Sequence, residues 1–127
     1  MTRILHGDDF RASVSPLMGE TQPVVICLCA EWCGTCRDYR VAFADLAARY
    51  SDHVFGWLDV EDDADIVGDL DIETFPTLML MQGDDLLFGG VLLPHIQHLD
   101  RLITMLPDRN AMIENDYSPV ARRLRGL

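Results

Sequence analysis

"AEWCGTCRDY", residues 30–39, decides how this chain is read. Cys33 and Cys36 stand three apart, and Cys27 and Cys29 lie just upstream. Ahead of them, "VVICLC" (24–29) is an apolar, β-branched run too short for a helix, which reads as a buried central strand. Behind them, Tyr39, Phe43, Leu46 and Tyr50 recur at spacings of four, three and four, one face of a helix from about Gly34 to Tyr50. The cysteines therefore fall where strand gives way to helix. A thiol at a helix start meets unpaired backbone N–H groups and the positive end of the helix dipole, and both favour the thiolate. Cys36 lies one turn further in on the same side, within reach of Cys33. The expected roles differ: Cys33 attacks a target disulfide and Cys36 resolves the mixed disulfide, closing a small ring.

The rest of the chain follows from this centre. "TRILH" (2–6) reads as an edge strand, and Asp8 or Asp9 offers an N-cap for a helix to about Met18. "VFGWLDV" (54–60) is a strand, "DADIVGDL" a short helix and "TLMLM" (77–81) a strand that starts after Pro76. "QGDD" turns the chain into a return strand, "LLFGGVL". Pro94 suits a first helical position, and Ile96, Leu99, Ile103 and Leu106 mark the inner face of the helix that follows. The order βαβαβαββα implies an α/β protein with a parallel portion and a hairpin at one end. The expected domain is 1–107; residues 108–127 form an extension in which Tyr117, Val120 and Leu124 share one side of a short helix.

Composition narrows the function. At 127 residues the chain suits one domain, and its apolar fraction of 49% is that of an ordinary globular protein. The net charge is −11 and every basic residue is arginine, a surface that repels phosphate backbones, so no nucleic-acid partner is expected. No apolar run approaches the ~18 residues of a membrane helix, so no membrane partner is expected either. "MTRILHGDDF" lacks a basic region followed by an apolar core, and the expected compartment is the reducing cytoplasm. There a C-x-x-C pair is catalytic or metal-binding more often than a structural staple. Eight carboxylates and no base lie between Asp59 and Glu73, while "ARRLRGL" closes the chain with three arginines. The acidic run reads as a solvated face, or as a surface that attracts the tail or a basic partner.

The motifs resemble the thioredoxin family. "AEWCGTC" matches that family's active-site motif, with Thr35 in place of the usual proline. Forty residues after Cys36 comes "FPT", Phe75-Pro76-Thr77, which matches its cis-proline loop. "ILHGDDF", "VVICL" and Gly89-Gly90 also fit, so the likeness covers roughly residues 3–106. The resemblance implies a thioredoxin-like fold, a central mixed β-sheet flanked by helices. It implies a thiol–disulfide oxidoreductase that needs no bound cofactor, acts on disulfide-containing proteins or small molecules and draws electrons from a reductase or thiol pool. Cys33 and Cys36 would be catalytic, with Trp32, Gly34, Thr35, Phe75 and a cis Pro76 forming the substrate surface. A different class of function is a thioredoxin-fold binding module, a chaperone or assembly factor with weak or no redox activity.

Departures from the family pattern carry their own expectations. The family's buried aspartate, six residues before the first active-site cysteine, falls at Cys27, and its lysine partner at Trp57. Without that pair, resolution by Cys36 is expected to be slower. The family's helix-kinking proline falls at Val41, so a straighter helix is expected. Thr35 frees an N–H that proline lacks, and a more oxidising couple is expected. Cys27 and Cys29 share one strand face. They are either small buried hydrophobes, or Cys29 approaches Cys33 or Cys36 and offers a second disulfide. The C-x-C-x3-C-x2-C spacing lacks the paired knuckles of a structural zinc site, so no metal is expected. His95 and His98, three apart on a helix, read as surface polar residues.

Overall fold

The computed structural model describes residues 4–6, 23–30, 33–50, 53–61, 63–67, 76–82, 85–92, 95–105 and 117–119. The expected helix ending near Met18, and Trp32, Phe75 and Pro94, lie outside them. The elements run β1 (Ile4–His6), β2 (Pro23–Cys29), α1 (Gly34–Arg49), β3 (Val54–Asp59), α2 (Ala64–Val67), β4 (Thr77–Gln82), β5 (Asp85–Val91) and α3 (Ile96–Met105).

The five strands form one sheet in the order β1-β3-β2-β4-β5. β1, β3 and β2 are mutually parallel, whereas β2–β4 and β4–β5 are antiparallel. β2 is central, and Val24 to Cys29 are all buried, which explains its unbroken apolar run: both faces of this strand are covered. Its odd positions, Val25, Cys27 and Cys29, face a core built with Phe55 and Trp57 of β3 and Leu78 and Leu80 of β4. α1 lays Cys36, Tyr39, Phe43, Leu46 and Ala47 on this face, and α3 adds Leu99 and Ile103. Phe43 is the hub, with its ring edge-on to Phe55 at 5.2 Å and to Trp57 at 5.6 Å. Such aromatic pairs contribute beyond the area they bury.

α1 runs unbroken past Val41, which is 67% exposed. Its C-terminal end is tied to α3: the Tyr50 hydroxyl donates to Asp100, and Arg49 pairs with the same carboxylate at 3.4 Å. The β4–β5 hairpin shifts register between Leu80 and Met81, so that Leu80 faces Phe88 and Met81 faces Leu86. Leu87 is the extra residue of this bulge, and it is buried with Leu86. The extension returns to the body here. An added Cβ at Gly89 would stand only 2.8 Å from Tyr117 Cβ, so the absence of a side chain in β5 is what admits Tyr117. Ser118 beside it is buried.

Candidate active site

The site forms where β2 hands over to α1. Cys33 is the N-cap of α1 in an extended conformation (φ −85°, ψ 122°), and its side chain makes no capping hydrogen bond. Its N–H donates to Ala30 O at 3.1 Å, and its carbonyl accepts the Arg37 N–H at 3.2 Å, the first bond of the helix. With the side chain not engaged in capping, the sulfur is left for chemistry beside the orphan N–H groups of the first turn. That turn carries no acid, and the Arg37 guanidinium lies over it, 3.8 Å from where a Gly34 Cβ would stand. The start of α1 thus carries a cation and unpaired N–H donors close to Cys33. Gly34 and Thr35 are exposed beside Cys33, which is itself half-buried.

Cys36 points the other way. It is 2% exposed and bonded to Cys29, which is fully buried; their Cα atoms stand 5.8 Å apart. This corrects the expectation that Cys36 closes a ring with Cys33: in this structure Cys33 is a free thiol. The reason is geometric. Strand alternation turns Cys29 toward α1, and Cys36, one of the inward positions of α1, enters the core directly above it. The Cα separation lies within the normal range for a bridge. The Ala30 N–H also points at Cys36 Sγ, at 3.4 Å. Of the two readings of Cys29, the bonded one holds; the small-hydrophobe reading fits Cys27 alone.

Cys27 sits between Trp57 of β3 and Leu78 of β4 in the ladder. Burial pushes its thiol well above the ordinary range, so it stays protonated at neutral pH. Burial, and secondarily the nearby Cys27 sulfur, raise the Tyr39 phenol as well. The Tyr39 hydroxyl is buried and finds no hydrogen-bond partner. Neutral groups thus occupy the core beneath the disulfide. Among the described residues, Asp63 is the only buried carboxylate, and it serves the turn after β3, accepting the Asp59 N–H at 3.0 Å. In the same turn the Val60 N–H donates to the Cys29 carbonyl at 2.9 Å, which fixes the end of β2. Asp59 accepts the Glu61 N–H at 2.8 Å. Part of the acidic run is therefore turn architecture packed beside the site, not only a solvated face.

Pro76 is buried at the start of β4, and its carbonyl accepts the Leu92 N–H at 3.4 Å. Thr77 pairs with Leu28, so one further step along the ladder brings Pro76 beside Cys29. The structure thus gathers Cys33, Gly34, Thr35, Cys36 and Pro76 at one end of the sheet and adds Cys29, whose bridging role the sequence left open. Trp32 and Phe75 lie outside the described residues. His95 and His98 are exposed, their rings 6.2 Å apart. Among the described residues no group of three or more His, Cys, Asp or Glu side chains is arranged to hold a metal ion, and no helix is long and apolar enough to cross a membrane.

A mixed five-stranded sheet whose central strand leads into a helix capped by a half-buried thiol is the arrangement of a thioredoxin-like fold. The family model described as Thioredoxin matches residues 1–90, and the chain belongs to the thioredoxin family. It is 38% identical over 60 residues to thioredoxin H2-2 of Oryza sativa subsp. japonica, covering 47% of this chain and 45% of that protein. To thioredoxin H2-1 of the same plant it is 34% identical over 65 residues, covering 51% of this chain and 47% of that one. The chain thus spans about half the length of these curated relatives. The crystal structure of thioredoxin NaTrxh from Nicotiana alata superposes with a TM-score of 0.73 at 18% identity, over 84% of this chain and 95% of that one, a likeness of fold.

Proposed function

We propose that this protein is a thiol–disulfide oxidoreductase that exchanges disulfides with protein or small-molecule substrates in a reducing cytoplasm. The observation that carries the reading is the free, half-buried Cys33 at the N-cap of α1, above a second sulfur, Cys36, one turn inside. Cys33 attacks the substrate disulfide, and Cys36 resolves the mixed disulfide. Gly34, Thr35 and Pro76 form the surface that receives the substrate chain, together with Trp32 and Phe75. A cis Pro76 shapes that surface. Sulfur chemistry alone moves the electrons, so the reaction uses no bound cofactor; a reductase or thiol pool replaces them. Residues 1–107 form the working domain, and 108–127 an extension held to β5 through Tyr117.

A second reading, a thioredoxin-fold chaperone or assembly factor, is favoured by the neutral Cys27 in place of the family's buried acid. One assay separates the two. Dithiothreitol-driven reduction of insulin should be accelerated by the wild-type chain and return to the uncatalysed rate with Cys33→Ser. Equal, negligible rates for both proteins would leave the binding module as the better account.

A further inference from the structure

We propose that Cys29 is a third redox thiol, which takes the disulfide over from Cys33 and stores it in the core as Cys29–Cys36. This rests on the oxidoreductase reading above. Three observations meet here. Cys29 and Cys36 are bonded, both are almost wholly shielded from solvent, and the free thiol is the outermost of the three.

The steps balance. Cys33 thiolate attacks a substrate disulfide RS–SR′; the Cys33–SR bond forms, and R′S⁻ leaves and takes a proton. Cys36 gives up its proton and attacks Cys33 Sγ. The Cys33–Cys36 bond forms, and RS⁻ leaves and is protonated. Cys29 then attacks Cys36 Sγ, so that Cys29–Cys36 forms, Cys33–Cys36 breaks and Cys33 thiolate is released; the Cys29 proton goes to solvent. The substrate gains two electrons and the three-thiol centre loses two. Cys33, where the cycle began, ends it free. The stored bond is closed to outside thiols, since Cys29 is 0% and Cys36 2% exposed. Re-reduction runs backwards: Cys33 attacks Cys36 Sγ, and Cys29 leaves and is protonated. A donor thiol then attacks Cys33 Sγ, and Cys36 leaves and is protonated. A second donor thiol attacks the donor sulfur, releasing Cys33 and a donor disulfide. Cys33 therefore gates the buried disulfide in both directions.

The test oxidises the reduced full-length chain with one equivalent of diamide, then denatures it in N-ethylmaleimide. Cleavage after Glu31 separates Cys27 and Cys29 from Cys33 and Cys36. A Cys29–Cys36 bond keeps the two fragments joined, with maleimide on Cys27 and Cys33; a Cys33–Cys36 bond lets them part. The joined product is expected as the main species of wild type, and the parted one for Cys29→Ser. Oxidised Cys33→Ser, still bridged, should be re-reduced by dithiothreitol at least 10-fold more slowly than wild type. Parted fragments from wild type, with insulin reduction intact, overturn the role of Cys29 and leave the oxidoreductase standing. A wild type that neither forms a disulfide nor reduces insulin overturns both.

Discussion

Replacing Gly89 by alanine tests whether the extension is part of the folded body. The three atoms nearest an added Cβ all belong to Tyr117: Cβ at 2.8 Å, Cγ at 2.9 Å and Cδ2 at 3.0 Å. The closest lies about 0.6 Å inside the 3.4 Å at which ordinary contact begins. Overpacking of this kind costs about 1–3 kcal/mol. At roughly 4 °C per kcal/mol for a chain of this size, the melting temperature should fall by about 4–12 °C. Tyr117→Gly removes all three atoms, so Gly89→Ala in that background should be neutral, or stabilising by up to ~0.5 kcal/mol because alanine suits a strand better than glycine. Urea denaturation of the four proteins gives the coupling directly. The expected coupling is at least ~1 kcal/mol. Additive effects, or a Gly89→Ala cost below ~0.3 kcal/mol in the Tyr117 protein, would refute the packing argument.

Phe43→Ala should destabilise by about 3–5 kcal/mol in urea titrations, since a fully buried ring between Phe55 and Trp57 leaves a cavity. Tyr50→Phe should cost about 1 kcal/mol in thermal melts, through the lost hydroxyl donation to Asp100 at the α1–α3 junction. Stability should also fall in alkali. Cys27 and Tyr39 are raised above their unfolded values, so their contribution is complete below those values and is lost as pH climbs toward the folded ones. The loss should start near pH ~8.5 with Cys27 and steepen near ~10 with Tyr39. Cys27→Ala should delay its onset to about pH 10 in urea titrations across pH 7–11.

Local patterns reveal the frame. The continuous apolar run of β2 and the four-three-four spacing of α1 each follow from a single burial requirement, and both elements stand within a residue or so of their expected ends. α3 starts at Ile96, two residues after the proline taken as its first position, and ends one residue before Leu106. The site was half legible. Cys33 at a helix mouth follows from where the strand stops and the helix starts. The Cys29–Cys36 bond does not, because it depends on how α1 lies across β2, a tertiary fact that strand parity narrows to one face without choosing a partner. The same holds for Gly89: a glycine inside a strand marks a close approach, yet nothing local says that Tyr117, far along the chain, makes it. Asp63 was hidden among like charges, since its burial comes from the turn after β3.

Thiol–disulfide exchange by this protein requires Cys33 to be the one thiol open to an incoming partner. Site-resolved alkylation of the fully reduced chain by iodoacetamide at pH 7 measures this directly, each cysteine being followed by mass spectrometry over time. Cys33 should react at least ~10-fold faster than Cys27, Cys29 or Cys36, because it alone is partly exposed, at the N-cap of α1, while the others are shielded. Equal rates at all four sulfurs, or a faster Cys29 or Cys36, would contradict it.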